Sequence, residues 1–512
     1  MEFSSTIRVA DLNDYIAPSQ DCVVALNGKL KVSEASEEVQ LQPRAARGAA
    51  PGTSAPPSLG EAVKVSLHDC LACSGCITSA ETVLLQQQSS DEFLAQLANP
   101  NVAVVVTVSP QSRASLAVHF GLSPTQTLVR LAGWFKALGV RAVWDLTTAR
   151  DLVLLEEAAE FLLSTSGQDS AMDAEGSASG APQPLPVMAS SCPGWVCYAE
   201  KTQGSRVLPH LSTTRSPQGA MGGLVKSLVA SAWGVAPASL YHVSVMPCYD
   251  KKLEASREEL TTGPAAAMPE ASSSQEGRIP EVDCCLTTGE VLQLLQQWPA
   301  PGCQLGGLAD PSAPDCTPDP ILPGVPADDR LYGTPYGSSS GGYADFVYRA
   351  AARELYGIEV PPGPLPWRSL RNADFQELTL GSPGTTSGGG QDLRFARVYG
   401  FRNIQTLLRQ VKMGRCAYQY VEVMACPSGC LNGGGQIKPG PGTTPQQLVE
   451  QLEAMYAHTD VAARSPANNP AVVALYGGWL GGAPGAPLAR ELLHTTYRER
   501  EKTVTTALVS NW

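Results

Sequence analysis

Three cysteines at two-residue gaps, Cys70, Cys73 and Cys76 in the segment DCLACSGCIT, restrict this chain more than any other feature. A loop with that spacing can turn three thiolates toward three corners of one iron-sulfur cubane, whereas zinc sites favour two separated C-x2-C pairs. The ferredoxin pattern places a fourth cysteine four residues further on, and here that position is Ala80. The fourth ligand must come from elsewhere, and Cys22 is the one cysteine upstream. We read Cys22 with the triplet as the ligands of a 4Fe-4S cluster. A four-thiolate zinc site is the rival, and incidental buried thiols are the bland alternative.

A second set is scattered along the chain: Cys192 in ASSCPGW, Cys248 in VMPCYDKK, and Cys426 with Cys430 in MACPSGCLNGGG. Each segment follows an apolar run of strand length, at 185–190, 241–246 and 420–425, so each cysteine falls just past a strand's carboxyl end. In open α/β sheets that edge is where ligands bind. The Pro-Gly, Tyr-Asp and Pro-Ser-Gly steps that follow are turn chemistry, able to aim a thiolate and neighbouring N–H groups at a buried anion. Singly, each of these cysteines reads as a small core hydrophobe; together they make four ligands at equivalent places. For Cys197, Cys284, Cys285, Cys303, Cys316 and Cys416, burial or accident suffices, and no two of the six histidines lie at ligand spacing.

Alternation of strand and helix predicts the architecture. The run at 102–108 is a strand, Ser123 and Pro124 supply the N-cap and first turn of a helix with Leu128, Leu131, Phe135 and Leu138 on one face, and Gly139 closes it. Further strands are predicted at 141–146, 185–190 and 241–246 and helices at 149–163 and 218–233, which makes an α/β fold with a mostly parallel sheet. Stretches 36–60, 164–184, 261–280, 299–328 and 381–390 pile up Gly, Pro, Ser and Ala without period and read as surface insertions.

With 43% hydrophobic and 16% charged residues over 512 positions, the chain can bury a large core. Its net charge of -12 argues against a nucleic-acid footprint, which needs a basic surface to displace counterions. The first twenty residues carry Glu2, Arg8, Asp11 and Asp14 and no signal-like apolar run, and no stretch reaches the roughly 18 apolar residues of a membrane span. The reading is a cytoplasmic protein that can diffuse into the nucleus, with its 14 cysteines reduced and no membrane or nucleic-acid partner.

In their order, SSCPGW, MPCYDKKLEASR, DCCLTTGEV and EVMACPSGCLNGGGQ resemble the active-site segments of iron-only hydrogenases, and more closely the Narf-like proteins of cytosolic iron-sulfur assembly. GSSSGGYADFVYRAA, NPAVVALYGGWL and ELLHTTY extend the resemblance over most of the chain outside the insertions. It implies two α/β lobes around a buried cluster with a small N-terminal cluster-binding segment: residues 1–95 for that segment and its linker, 96–298 and 329–450 for the lobes, and 451–512 for a helical, small-subunit-like tail ending in Trp512. It also implies that Cys192, Cys248, Cys426 and Cys430 ligate the buried 4Fe-4S cluster and Cys22, Cys70, Cys73 and Cys76 the N-terminal one.

True hydrogenases bear a proton-relay cysteine directly before the residue matching Cys192, and here that position is Ser191. A hydroxyl is a far weaker acid than a thiol of pKa about 8.5, so hydrogen turnover is not expected. Lys251 could still offer a cation to the cluster; as a plain surface residue it would be half of a solvated lysine pair. The resemblance therefore implies a non-enzymatic adaptor between an early scaffold and a late targeting complex, with the C-terminal Trp512 as a docking element although Asn511 departs from the residue most expected before it. A ferredoxin-like electron carrier and a residual hydrogenase-type oxidoreductase are the alternatives.

Overall fold

The computed structural model describes residues 88–165, 183–262, 278–303, 305–312, 316–325, 328, 330–334, 336–381 and 392–500, with backbone pairing at 31–32 and 39–40. Nine strands of the described residues build two main sheets. The first joins β1 (Ala103–Val108), β2 (Ala142–Asp145), β4 (Leu240–Met246) and β5 (Cys284–Thr287) in the order β2-β1-β4-β5, every pair parallel. The second joins β3 (Val187–Ala189), β6 (Arg368–Ser369), β7 (Phe375–Leu380), β8 (Leu393–Tyr399) and β9 (Tyr420–Met424) in the order β6-β7-β8-β9-β3. Its β8-β9 and β9-β3 pairs are parallel. β3 lies within the 96–298 stretch yet pairs with β9, so the chain crosses between the two sheets and back before β4.

The apolar run of β1 is buried on both faces, as a parallel strand between helix layers must be. Val105 enters the core shared with the second sheet, while Val104, Val106 and Val108 face the other side, under the helix Pro124–Ala137. That helix starts as its sequence requires: Ser123 Oγ accepts from Gln126 N and the Gln126 side chain accepts from Ser123 N, a closed capping box, and Leu128, Leu131 and Phe135 are buried.

Two local expectations change. The stretch 299–328 is not a mere surface insertion: Leu308, Ala309, Cys316, Ile321 and Leu322 are buried. Asp319 N donates to Val143 O and the Asp319 carboxylate accepts from Val143 N, both at 2.9 Å, so this segment covers the free edge of β2. Isolated apolar residues anchored by backbone pairing leave no period to read. The helix predicted at 218–233 runs as α-helix over Pro217–Leu224, then widens to a π turn at Val225–Val229 that turns Lys226 into the core. There its ammonium meets Asp283 at 2.7 Å.

Beside this pair, His242 on β4 is fully buried. Its Nε2 stands 2.9 Å from Thr107 Oγ1 and its Nδ1 3.1 Å from Glu281 O, the arrangement of a neutral ring. Burial, reinforced by Lys226 and opposed by the Glu281 carbonyl, pulls its pKa down to about 4. Between that value and the unfolded histidine's roughly 6.5, the unfolded chain binds a proton that the folded one refuses. The contribution is therefore complete above about pH 6.5 and is lost as pH falls toward the folded value, about 3 kcal/mol in all. His242→Gln should flatten the decline of unfolding free energy between about pH 7 and pH 5 measured by denaturant titration. An unchanged decline would place that acid sensitivity elsewhere.

Candidate cluster site

β3 and β9 are neighbours in the second sheet and β4 is internal to the first, and all three point their carboxyl ends at one region between the sheets. Cys192 follows β3 as the N-cap of the helix Pro193–Thr202, Cys248 follows β4 just before the helix Asp250–Ala255, and Cys426 follows β9. Cys430 opens the 3-10 turn Cys430–Asn432. The structure thus brings these four predicted residues together. Cys22, Cys70, Cys73, Cys76 and the terminal Trp512 lie outside the described residues.

The four thiols act on one another. Burial first, then Asp250 and the other cysteines, drives Cys248 well above the usual thiol pKa; burial, Cys192 and Cys430 do the same to Cys426. Burial, Asp250 and Cys430 push Cys192 up to about 12. Cys430 is also raised, by burial against the opposing help of Ser340 and Lys251. As bare side chains these are protonated, and iron is the partner that would deprotonate them and balance their charge. Among the described residues no three Cys, His, Asp or Glu side chains converge as ligands of a single ion. A cubane is held from its corners, and four thiols from three separate loops are a donor set that fits one.

Glycines in the third cysteine segment hold the loops at contact. Gly435 N donates to Pro247 O at 2.9 Å, and a Cβ at Gly433 would strike that same carbonyl, one residue before Cys248. Gly429 takes φ 76°, a left-handed turn against the Ser340 hydroxyl, which lets Cys430 N donate to Ser340 Oγ at 3.0 Å. The floor is Met424, whose Sδ is 3.9 Å from Cys430 Sγ, and Ala425 N donates to Cys192 Sγ at 3.4 Å. Residue-by-residue reasoning passed over Ser340; its signal was the triple serine of GSSSGG. Ser338 bonds Glu422, Ser339 Oγ donates to Glu453 at 2.7 Å, and the Ser339 carbonyl accepts from Gln111.

Comparison with known proteins shows the family. The model of the iron-only hydrogenase large subunit, C-terminal domain, matches residues 102–434, and that of the iron hydrogenase small subunit matches 445–500. Protein NAR1 of Arabidopsis thaliana is 45% identical, the match covering 100% of this chain and 99% of that protein. Cytosolic iron-sulfur assembly component 3 of Mus musculus is 44% identical, covering 98% and 97%. The chain belongs to the iron-only hydrogenase-like family, in its NAR1 branch. An apo variant of the FeFe-hydrogenase HydA1 from Chlamydomonas reinhardtii superposes with a TM-score of 0.63 at 26% identity, over 80% of this chain and 98% of that one.

Two buried polar residues stand beside these cysteines. Ser191, in the position before Cys192, donates to Ser340 O at 3.4 Å and lies against Cys430 and Tyr343. Lys251 is not a solvated lysine. It is buried, 2.8 Å from Glu254 and 3.0 Å from Ser216 Oγ, and its charge acts on Cys430. Burial alone would lower its pKa; Glu254, with smaller help from Cys248 and Cys430, holds it above the usual lysine value. The neighbouring Lys252 is equally withdrawn, donating to Gln88 O at 2.6 Å and Glu290 at 2.8 Å.

Since the Gly433 contact is with backbone, Gly433→Ala must part the Cys248 and Cys430 loops. We expect that variant to lose most of the iron bound at this site on anaerobic desalting, while the spectrum of an N-terminal cluster persists. Full retention of iron at both sites would show that the loops tolerate separation.

Proposed function

We propose that this chain is a component of the cytosolic iron-sulfur protein assembly machinery, an adaptor that carries two 4Fe-4S clusters between an early scaffold and a late targeting complex, with no turnover of its own. The observation that carries this reading is the extent of the likeness: protein NAR1 and cytosolic iron-sulfur assembly component 3 match over nearly their whole length, including the N-terminal segment that precedes the hydrogenase large-subunit match. Ser191 supports it, because a hydroxyl beside Cys430 is a poor proton donor at neutral pH.

On this reading Cys192, Cys248, Cys426 and Cys430 hold the buried cluster, and Cys22, Cys70, Cys73 and Cys76 hold the other near the chain's start. Either cluster supplies a redox-active, thiolate-ligated iron centre when bound. Lys251 offsets negative charge at the buried site, Met424 and Trp195 keep its surroundings apolar, and the clamped loops restrain its release. The N-terminal cluster, on three closely spaced ligands and one distant one, is the more exchangeable of the two. Partners are assembly proteins of the cytoplasm, with Trp512 engaging the targeting complex, and neither nucleic acid nor membrane is among them. No helix of the described residues is long and apolar enough to cross a membrane.

Anaerobically purified protein should contain about eight irons and matching sulfide, and chelator should remove the signal assigned to Cys70, Cys73 and Cys76 before that assigned to Cys192, Cys248, Cys426 and Cys430. Its infrared spectrum should lack the bands of diatomic iron ligands, and hydrogen evolution should be at background. In cells depleted of their own relative, the chain should restore extramitochondrial iron-sulfur enzymes and leave mitochondrial ones unchanged. Diatomic bands with hydrogen turnover would replace the adaptor with an oxidoreductase, and failure to restore those enzymes despite full iron loading would favour an electron carrier.

A further inference from the structure

The net charge of -12 conceals a locally reversed region on one exposed helix. Between Asp392 and Glu422 the sequence has no acid and six cations: Arg394, Arg397, Arg402, Arg409, Lys412 and Arg415. Arg397 is spent inside, paired with Asp345. Three of the others belong to the helix Phe401–Lys412, which buries Asn403, Ile404, Leu407 and Leu408. At 100° per residue, Arg402, Arg409 and Lys412 fall within an arc of about 80° on the side away from Asn403 and Leu407. All three are exposed, as are Arg415 and, at 50%, Met413. Ordinary solvent-facing helices intersperse acids three and four residues from their bases. This one has none, and among the described residues no ion pair joins Arg409, Lys412 or Arg415 to a carboxylate.

The position is as particular as the charge. Gly400 N, at the entrance to the helix, donates to Met424 O at 2.9 Å, and Gly400 packs beside Pro427, next to Cys426. The Phe401 ring stands 5.1 Å from that of Tyr198, on the helix capped by Cys192. The N-terminal end of the helix that carries the stripe therefore packs near two of the three cysteine loops.

We propose that the solvent face of Phe401–Lys412 is a docking surface for an acidic protein segment. Arg402 to Lys412 spans about 15 Å along the helix axis, the length of a short acidic helix or turn. Met413 adds a deformable apolar contact at one end. A nucleic acid fits less well: its charge, repeating every roughly 1.7 Å, would run past three cations onto a surface of net negative sign. The docking surface depends on these charges and not on cluster transfer, so it stands or falls separately from the assembly role.

The test uses full-length, anaerobically purified protein and a fluorescein-labelled oligoglutamate peptide of about ten residues. Anisotropy is read at about 0.15 M salt, where exposed charges are already screened. The triple variant Arg402→Glu, Arg409→Glu, Lys412→Glu should bind about tenfold more weakly than the parent. A control carrying Arg206→Glu, Arg278→Glu and Arg353→Glu, the same change in net charge at other exposed arginines, should change less than about twofold. If the reversed stripe disturbs folding, the neutral triple to Gln replaces it and should show a smaller loss of the same sign. No saturable binding by the parent, or equal losses in both triples, would overturn the proposal. Preferential binding of a single-stranded oligonucleotide or of phosphatidylserine vesicles at the same stripe would overturn its partner class.

Discussion

The arrangement between the two sheets turns on keeping four thiols, one buried and three partly buried, close together. Each of Cys192, Cys248, Cys426 and Cys430 is held above its ordinary pKa by burial, and each raises or is raised by others of the set. Such a set has no stable use for its sulfurs as bare thiolates, and iron bound there would supply the balancing charge. On the proposed ligand set two sheets would supply the thiols, three from the ends of β3 and β9 and the fourth from the end of β4. A cluster bound there would tie the two sheets together.

The polar groups around the site follow from the same constraint. Buried Lys251 lends positive charge while paired with Glu254, and Asp250 opposes it by raising Cys192 and Cys248. Ser340 receives the Cys430 N–H, and Ser191 donates to the Ser340 carbonyl. On the proposed reading this shell would stabilise bound iron while offering only a weak proton donor.

Much of this was legible beforehand, for identifiable reasons. Apolar runs bounded by turn residues located β1, β3, β4 and β9 within two residues at either end, since buried parallel strands leave little to distinguish from their hydrophobic pattern. The cysteine positions followed because each lies past such a run. Lys251 escaped because a pair of lysines reads as solvated until the fold brings Ser216 to Lys251 and Glu290 to Lys252. The 299–328 segment escaped because its anchors, Leu308, Cys316 and Asp319, have no period. Lys226 escaped because nothing in a helical pattern announces a π turn. In each case tertiary pairing, invisible to local pattern, decided the outcome.

The central claim, that Cys192, Cys248, Cys426 and Cys430 together hold a cluster, is tested most directly with Cys70, Cys73 and Cys76 replaced by Ala and the protein expressed on isotope-enriched iron. Mössbauer and spin-resonance spectra of that variant should show about four irons per chain in a single all-thiolate 4Fe-4S cluster, lost when Cys248 is also replaced. A protein that folds with no iron, or that holds zinc at these cysteines, would contradict it.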